Sequence, residues 1–284
     1  MSDRPARPKR QVHHARVQRV ERLTPHMIRV VLAGDGLAHF TAGTYADHYI
    51  KMFFPVEGAE YPHPFDIEQI RAELPRDQWP RTRTYTVRRW DPETGELTVD
   101  LVHHGDEGVA GPWAARAQPG DEVFFSGPGG AYAPSADADW YLLAGDESAL
   151  PAIAASLERL PEGALAHVFI EVSGPKEEQK LATQAAAEIV WLHRGDGRIG
   201  EALARAVTAL QFPPGEPEAF VHGEAGFVKE LRRLLRVERG VSRERLSISG
   251  YWRTGHDEDG WQASKREWNR SVEEEQETPG PAAS

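Results

Sequence analysis

Near Pro134 the hydrophobic pattern of this 284-residue chain changes period, and that change limits what it can fold into. Before it, six short segments alternate apolar and polar residues, at 12–20, 27–32, 49–54, 83–89, 96–102 and 121–125. Gly, Pro and Asp turns such as Asp91-Pro92-Glu93-Thr94-Gly95 separate them, and six strands broken in this way predict an antiparallel barrel. After Pro134, apolar strands expected at 141–144, 166–171, 188–193, 219–223 and 246–249 alternate with helical spacing over 148–160, 199–210 and 227–235. That alternation predicts a doubly wound α/β domain with a parallel sheet.

The expected domains are a barrel over 1–134, with a flexible start at 1–11, an α/β domain over 135–250 and an extension over 251–284. The extension holds three of the eight Trp, with a helix expected at 262–272 and a disordered tail. Residues 54–81, rich in Pro and charge, are expected to form a surface excursion with one helical turn. The segment Ser126-Gly127-Pro128-Gly129-Gly130-Ala131-Tyr132 is expected to be a domain junction.

Composition narrows the function. With 40% hydrophobic and 27% charged residues, the chain is ordinary for a globular protein. It holds no apolar run long enough for a membrane span and no signal-peptide core, so a cytoplasmic protein without stable membrane insertion is expected. A net charge of -11 argues against general nucleic-acid binding. The absence of Cys excludes disulfides, thiolate zinc sites and Cys-ligated iron–sulfur clusters. Electron transfer by such a chain needs a bound organic cofactor or a substrate metal. His13, His14, His26, His39, His63 and His193 show no metal-ligand spacing, and no structural metal is expected.

Four groups of residues carry chemistry. Arg83-Thr84-Tyr85-Thr86 on a strand suits a flavin, because a guanidinium pairs with pyrophosphate and an aromatic face stacks on the ring; it suits an ordinary half-exposed strand as well. Asp100-Leu101-Val102-His103-His104-Gly105 leads into Gly108-Val109-Ala110-Gly111-Pro112-Trp113, a strand end and a helix start whose backbone N–H groups suit phosphate, or a plain Gly-rich turn. In the α/β half, the turns at Asp146-Glu147-Ser148-Ala149 and Gly223-Glu224 lie where a nicotinamide nucleotide meets such folds, although their acids also suit helix capping. Lys51, Arg253, Lys265 and Arg266 form either a solvated face or an attraction for an anionic acceptor.

Taken in order, these segments resemble the siderophore-interacting protein family, flavin-dependent ferric-siderophore reductases of the ferredoxin-reductase-like fold group. The matching stretches are Asp47-His48-Tyr49-Ile50-Lys51, Arg83-Thr84-Tyr85-Thr86, Asp100 to Gly105, Gly127-Pro128-Gly129-Gly130, Gly145-Asp146-Glu147-Ser148-Ala149-Leu150-Pro151 and Gly250-Tyr251-Trp252-Arg253-x-Gly255. The resemblance implies FAD on the barrel, with Arg83 on the pyrophosphate, Tyr85 stacked on the flavin and Thr86 near its reactive edge. It places His48, Thr84, Asp100, Val102 and His104 around the cofactor, with backbone groups of Val109, Ala110, Gly111 and Trp113 on the phosphates. Lys51 and Lys265 match lysines of an acceptor pocket, with Arg253 nearby. Phe220-Val221-His222-Gly223-Glu224 departs from the Trp-x-Ala-Gly-Glu of many relatives, which leaves NADH, NADPH and reduced ferredoxin open as donors. The expectation is a monomeric NAD(P)H:ferric-siderophore oxidoreductase; a general flavin reductase and a siderophore carrier without turnover are the alternatives.

Overall fold

The computed structural model describes residues 11–277; the flexible start expected over 1–11, Gln11 apart, and the tail beyond 277 lie outside the described residues. Six strands, β1 (Val12–Thr24), β2 (Met27–Ala33), β3 (Tyr49–Phe54), β4 (Arg81–Asp91), β5 (Glu96–Val102) and β6 (Glu122–Gly129), close a barrel in the order β1-β2-β5-β4-β3-β6. Period-two alternation sends Val30, Ile50, Met52, Leu97, Val99 and Phe125 into one buried core. The excursion contains α1 (Ile67–Glu73), two turns where one was expected, started by Asp66 accepting from the Glu68 and Gln69 amides. The short helix α2 (Ala110–Arg116) packs Ala110 and Ala114 into the barrel core.

The expected junction at 126–132 is in its first half barrel strand. β6 runs to Gly129, where an added Cβ would stand 2.4 Å from Cζ of Tyr49, so the glycine lets the tyrosine ring lie flat on the strand.

The second half forms a five-stranded parallel sheet in the order β11-β10-β7-β8-β9. Its strands are β7 (Trp140–Gly145), β8 (Leu165–Val172), β9 (Ala186–His193), β10 (Pro217–Glu224) and β11 (Leu246–Trp252). Helix α3 (Leu150–Leu157) covers one face, while α4 (Glu201–Ala209) and α5 (Ala225–Arg233) cover the other. β11 continues past residue 250, and the last helix, α6 (Glu258–Glu277), starts four residues before the expected 262. Asp257 explains the early start: its side chain accepts from Gly260 N at 2.7 Å and its carbonyl from Trp261 N at 2.9 Å. Among the described residues no helix is long and apolar enough to cross a membrane.

The two halves are tied together by polar contacts. Glu177, buried between them, accepts from Thr24 Oγ1 at 2.5 Å and His26 N at 3.1 Å. Arg88 of β4 forks onto Glu158 at 2.6 and 3.1 Å, and Arg159 donates to the Thr44 carbonyl at 2.6 Å. These contacts fix the barrel against the C-terminal edge of the sheet. Gly145 sits at the tightest point of that edge, where an added Cβ would meet Ala149 Cβ and the His222 carbonyl oxygen at 2.6 Å each. Gly145→Ala is expected to lower unfolding stability by about 1–3 kcal/mol, measured by urea denaturation with an unchanged slope.

Candidate active site

β4 is longer than the strand beside it. Residues 81–86 pair with β3 on one edge, and pairing with β5 on the other edge begins only at Val87. The edge of residues 81–86 away from β3 is therefore open, and alternation turns the amides of Thr82, Thr84 and Thr86 towards it. Arg83 and Tyr85 lie on this overhang, side by side on one face of the strand. The Arg83 guanidinium donates to the Thr82 carbonyl at 2.8 Å, while Thr84 N donates to Glu258 Oε1 of α6 at 3.0 Å. Burial raises the Tyr85 phenol well above its ordinary value, Glu258 adds to the rise and Arg83 opposes it.

The opposite face of the overhang points into the cleft between the domains. Lys51 lies across from Thr84 in the β3–β4 register, and Lys265 follows about two helical turns after Glu258, which holds the Thr84 amide. The two ammonium groups feel each other: burial first, then Lys51, lowers the Lys265 pKa, with Glu258 pulling the other way. The structure thus joins two of the three lysine and arginine positions expected to meet an acceptor. Arg253 lies in the turn between β11 and α6, half-buried, its carbonyl accepting from His256 N at 3.1 Å.

His222, at the end of β10, closes the floor of this cleft. Its ring lies tilted against those of Phe220 at 4.0 Å and Tyr251 at 4.8 Å, and its Nε2 lies 3.0 Å from Ser247 Oγ. Burial, followed by the charge of Lys265, pushes its pKa down to about 3, so the ring is neutral at pH 7.

The two α/β loops form one knot. Asp146 Oδ1 accepts from Ser148 N at 2.9 Å and Ser148 Oγ at 2.5 Å. Its Oδ2 accepts from Glu224 N at 2.9 Å and Trp252 Nε1 at 2.8 Å. Burial still pushes the Asp146 carboxyl up to about 6 against these donors. Glu224 in turn accepts from Gly226 N at 2.6 Å and Thr254 N at 3.1 Å. Glu147 pairs with Arg194 at 3.0 Å, Ala149 packs in the core, and Gly223 lies against Asp146 and Phe227. The structure brings together all six residues expected to meet a nicotinamide nucleotide, and their acidic side chains are held by protein donors.

The remaining positions divide. Val109, Ala110 and Trp113 turn their side chains to the barrel core, Trp113 edge-on to Phe54 at 5.5 Å, and no side chain caps the start of α2. Gly111 lets α2 approach the Val102 carbonyl. Asp100 is bound bidentately by Arg29 at 2.7 and 2.8 Å on the barrel's outer wall, in a cavity of about 290 Å³ shared with Arg88, Leu150 and Pro151. Val102 packs against the core of the α/β half, while His104 is exposed, its ring 5.7 Å from that of His26. His48 is buried, with Nδ1 3.1 Å from the Gly129 carbonyl and no partner for Nε2. Among the described residues there is no cluster of three His, Asp or Glu that could hold a metal ion. Sequence reasoning missed Glu258 and Asp259, which stand against Arg83 from 174 or more residues away; a pair of acids after an Asp cap carries no local mark of that partner.

A closed antiparallel barrel with an overhanging Arg-x-Tyr-Thr strand, facing the C-terminal edge of a parallel sheet, defines a flavoprotein of ferredoxin-reductase-like architecture. The profile of the siderophore-interacting FAD-binding domain matches residues 16–132, and that of the siderophore-interacting protein matches residues 138–255. The chain is 45% identical over 272 residues to an uncharacterized protein of Mycobacterium tuberculosis, covering 91% of this chain and 96% of that one. It is 33% identical over 241 residues to ferric vibriobactin reductase ViuB of Vibrio cholerae (84% and 88% covered) and 32% identical over 241 residues to the NADPH-dependent ferric-chelate reductase of Escherichia coli (83% and 91%). A siderophore utilization protein from T. fusca superposes with a TM-score of 0.76 at 38% identity, over 87% of this chain and 95% of that one. The chain belongs to the siderophore-interacting protein family, and its cofactor is FAD.

The residues fit that cofactor: a strand edge without a strand partner offers amides beside that of Thr84, which Glu258 holds, the Arg83 guanidinium has donors to spare beyond the one on the Thr82 carbonyl, and a half-buried tyrosine lies beside it.

His222 also sets a pH dependence. Its native pKa lies below the unfolded value of 6.5, so its contribution to stability is complete above that pH. As pH falls from about 6.5 towards 3 the unfolded chain gains a proton that the native chain does not, and stability drops by up to about 1.4 kcal/mol per unit. His222→Gln is expected to flatten the change in urea midpoint between about pH 7 and pH 5; Asp146, common to both proteins, cancels in the comparison.

Proposed function

We propose that this chain is an FAD-dependent ferric-siderophore reductase that draws electrons from NADH or NADPH and works in the cytoplasm. The observation that carries the reading is the hold of Glu258 Oε1 on Thr84 N at 3.0 Å, which brings α6, with Lys265 about two helical turns further on, to the strand position that Lys51 faces from the other half of the molecule. Bound FAD would supply the chemistry that neither partner has, taking the two electrons of one hydride and releasing them singly, enough for two ferric ions per nicotinamide.

The protein's own groups then have separate tasks. Arg83 and the open amides hold the cofactor, Tyr85 covers one side of its ring, and the lysines draw an anionic ferric chelate to the cleft. Burial already makes Lys265 easier to deprotonate, so an arriving anion would strengthen its charged form. The iron is substrate and stays in its chelator until reduced. Fe(II) binds hard oxygen ligands far less tightly than Fe(III), so reduction releases the metal. The relatives named as ferric reductases support this acceptor class.

Anaerobic addition of NADH or NADPH is expected to bleach the flavin spectrum, and a ferric siderophore to restore it. A flavin that stayed oxidised with NADH, NADPH and reduced ferredoxin alike would point to a carrier. The lysines have their own signature: in Lys51→Ala/Lys265→Ala, KM for an anionic ferric siderophore should rise about 10-fold and lose most of its salt dependence, with FAD content unchanged. Equal salt dependence in variant and parent would remove the lysines from the acceptor site.

A further inference from the structure

We propose that Glu258 and Asp259, in the first turn of α6, act as an internal anion that competes with the FAD pyrophosphate for Arg83 and so sets how tightly the cofactor is held. The inference rests on FAD seating along β4 and is independent of the acceptor.

Glu258 Oε2 stands 3.8 Å from Arg83 Nε, and Asp259 Oδ2 stands 3.7 Å from Arg83 Nη1 and 3.9 Å from Arg81 Nη1. These are ion pairs beyond hydrogen-bond length, so the acids neutralise the guanidinium without saturating its donors. A pyrophosphate oxygen brought to hydrogen-bond distance of Arg83 would make a stronger contact, but it would bring negative charge beside two carboxylates. Glu258 is only about one-fifth exposed, which weakens screening of that repulsion.

Glu258 also occupies the edge itself, because its Oε1 takes the Thr84 amide that the overhang would otherwise offer. Burial raises the Glu258 carboxyl above its ordinary value, with Thr84, Arg83 and Lys51 opposing the rise. A carboxylate placed at such cost, beside the one arginine that the cofactor needs, is more than a surface charge.

The helix that carries the acids cannot simply swing aside. Trp261 is buried against Gly250 and Ala225, Lys229 pairs with Glu275 at 2.6 Å, and Arg243 pairs with Glu273 at 2.7 Å. α6 is thus fastened to α5 and β11, and its first turn stands against a strand of the other half. Cofactor entry must work against a fixed anion, so loading and the α6 contact with β4 are coupled.

The test uses apo-protein and flavin fluorescence, with no turnover. Glu258→Gln keeps an oxygen acceptor for Thr84 N and removes the charge; it is expected to tighten FAD binding by about 10-fold, and Asp259→Asn, which is more exposed, by about 3-fold. Riboflavin, which lacks the pyrophosphate, should bind parent and variants alike, and the gain for FAD should vanish when Arg83→Ala is added. Glu267→Gln, an exposed charge on the same helix, should change nothing. The proposal is overturned if Glu258→Gln folds with the parent's melting temperature yet binds FAD no more tightly, or if riboflavin gains as much as FAD. Should Glu258→Gln fail to fold, Asp259→Asn decides alone: unchanged or weaker FAD binding overturns it.

Discussion

An overhang organises this molecule. Because β5 begins to pair with β4 only at Val87, residues 81–86 project as a half-paired strand, and a half-paired strand must meet donors and acceptors from elsewhere. One side of the overhang is covered by α6 through Glu258, and the residues it carries, Arg83 and Tyr85, are those proposed to seat the cofactor. The second half of the chain is fastened at the distance this arrangement requires, by Arg88 on Glu158 and by Glu177 on Thr24.

The cleft keeps its charges in distinct electrical roles. Asp146, Glu147 and Glu224, at the C-terminal ends of the sheet strands, are each bound by protein donors and present little free negative field. Lys51 and Lys265 repel one another, and Glu258 opposes that effect at Lys265. An anion that bridges them relieves that repulsion, whereas a neutral acceptor does not. His222 contributes no charge at neutral pH and serves as an aromatic, neutral floor.

Much of the fold was legible because each strand buries one face or two. Alternation marked the six barrel strands, and continuous apolar runs marked the parallel ones, as at Tyr141 to Ala144. What failed was local chemistry with two equal readings. Gly127 to Gly130 reads as a junction until Tyr49 is seen lying across Gly129, and Asp257 reads as a loop residue until its carboxylate is seen capping α6. The Arg83-x-Tyr85-Thr86 candidate was visible because its residues are neighbours in sequence. Its acidic counterpart was not, since Glu258 meets Thr84 only after two domains have folded and docked. Lys51 and Lys265 were paired by resemblance alone, as no periodicity links positions so far apart.

The division of the lysines between halves has a consequence for how such a chain diversifies. Lys51 belongs to a barrel strand whose register also fixes the flavin residues, so it cannot shift without disturbing them. Lys265 rides on a helix whose anchors, Trp261 and Val272, are independent of that register. Grafting the segment after β11 from one family member to another would re-dress one wall of the cleft and, through Glu258 and Asp259, the charge beside Arg83, while the β3–β4 register stayed as it was.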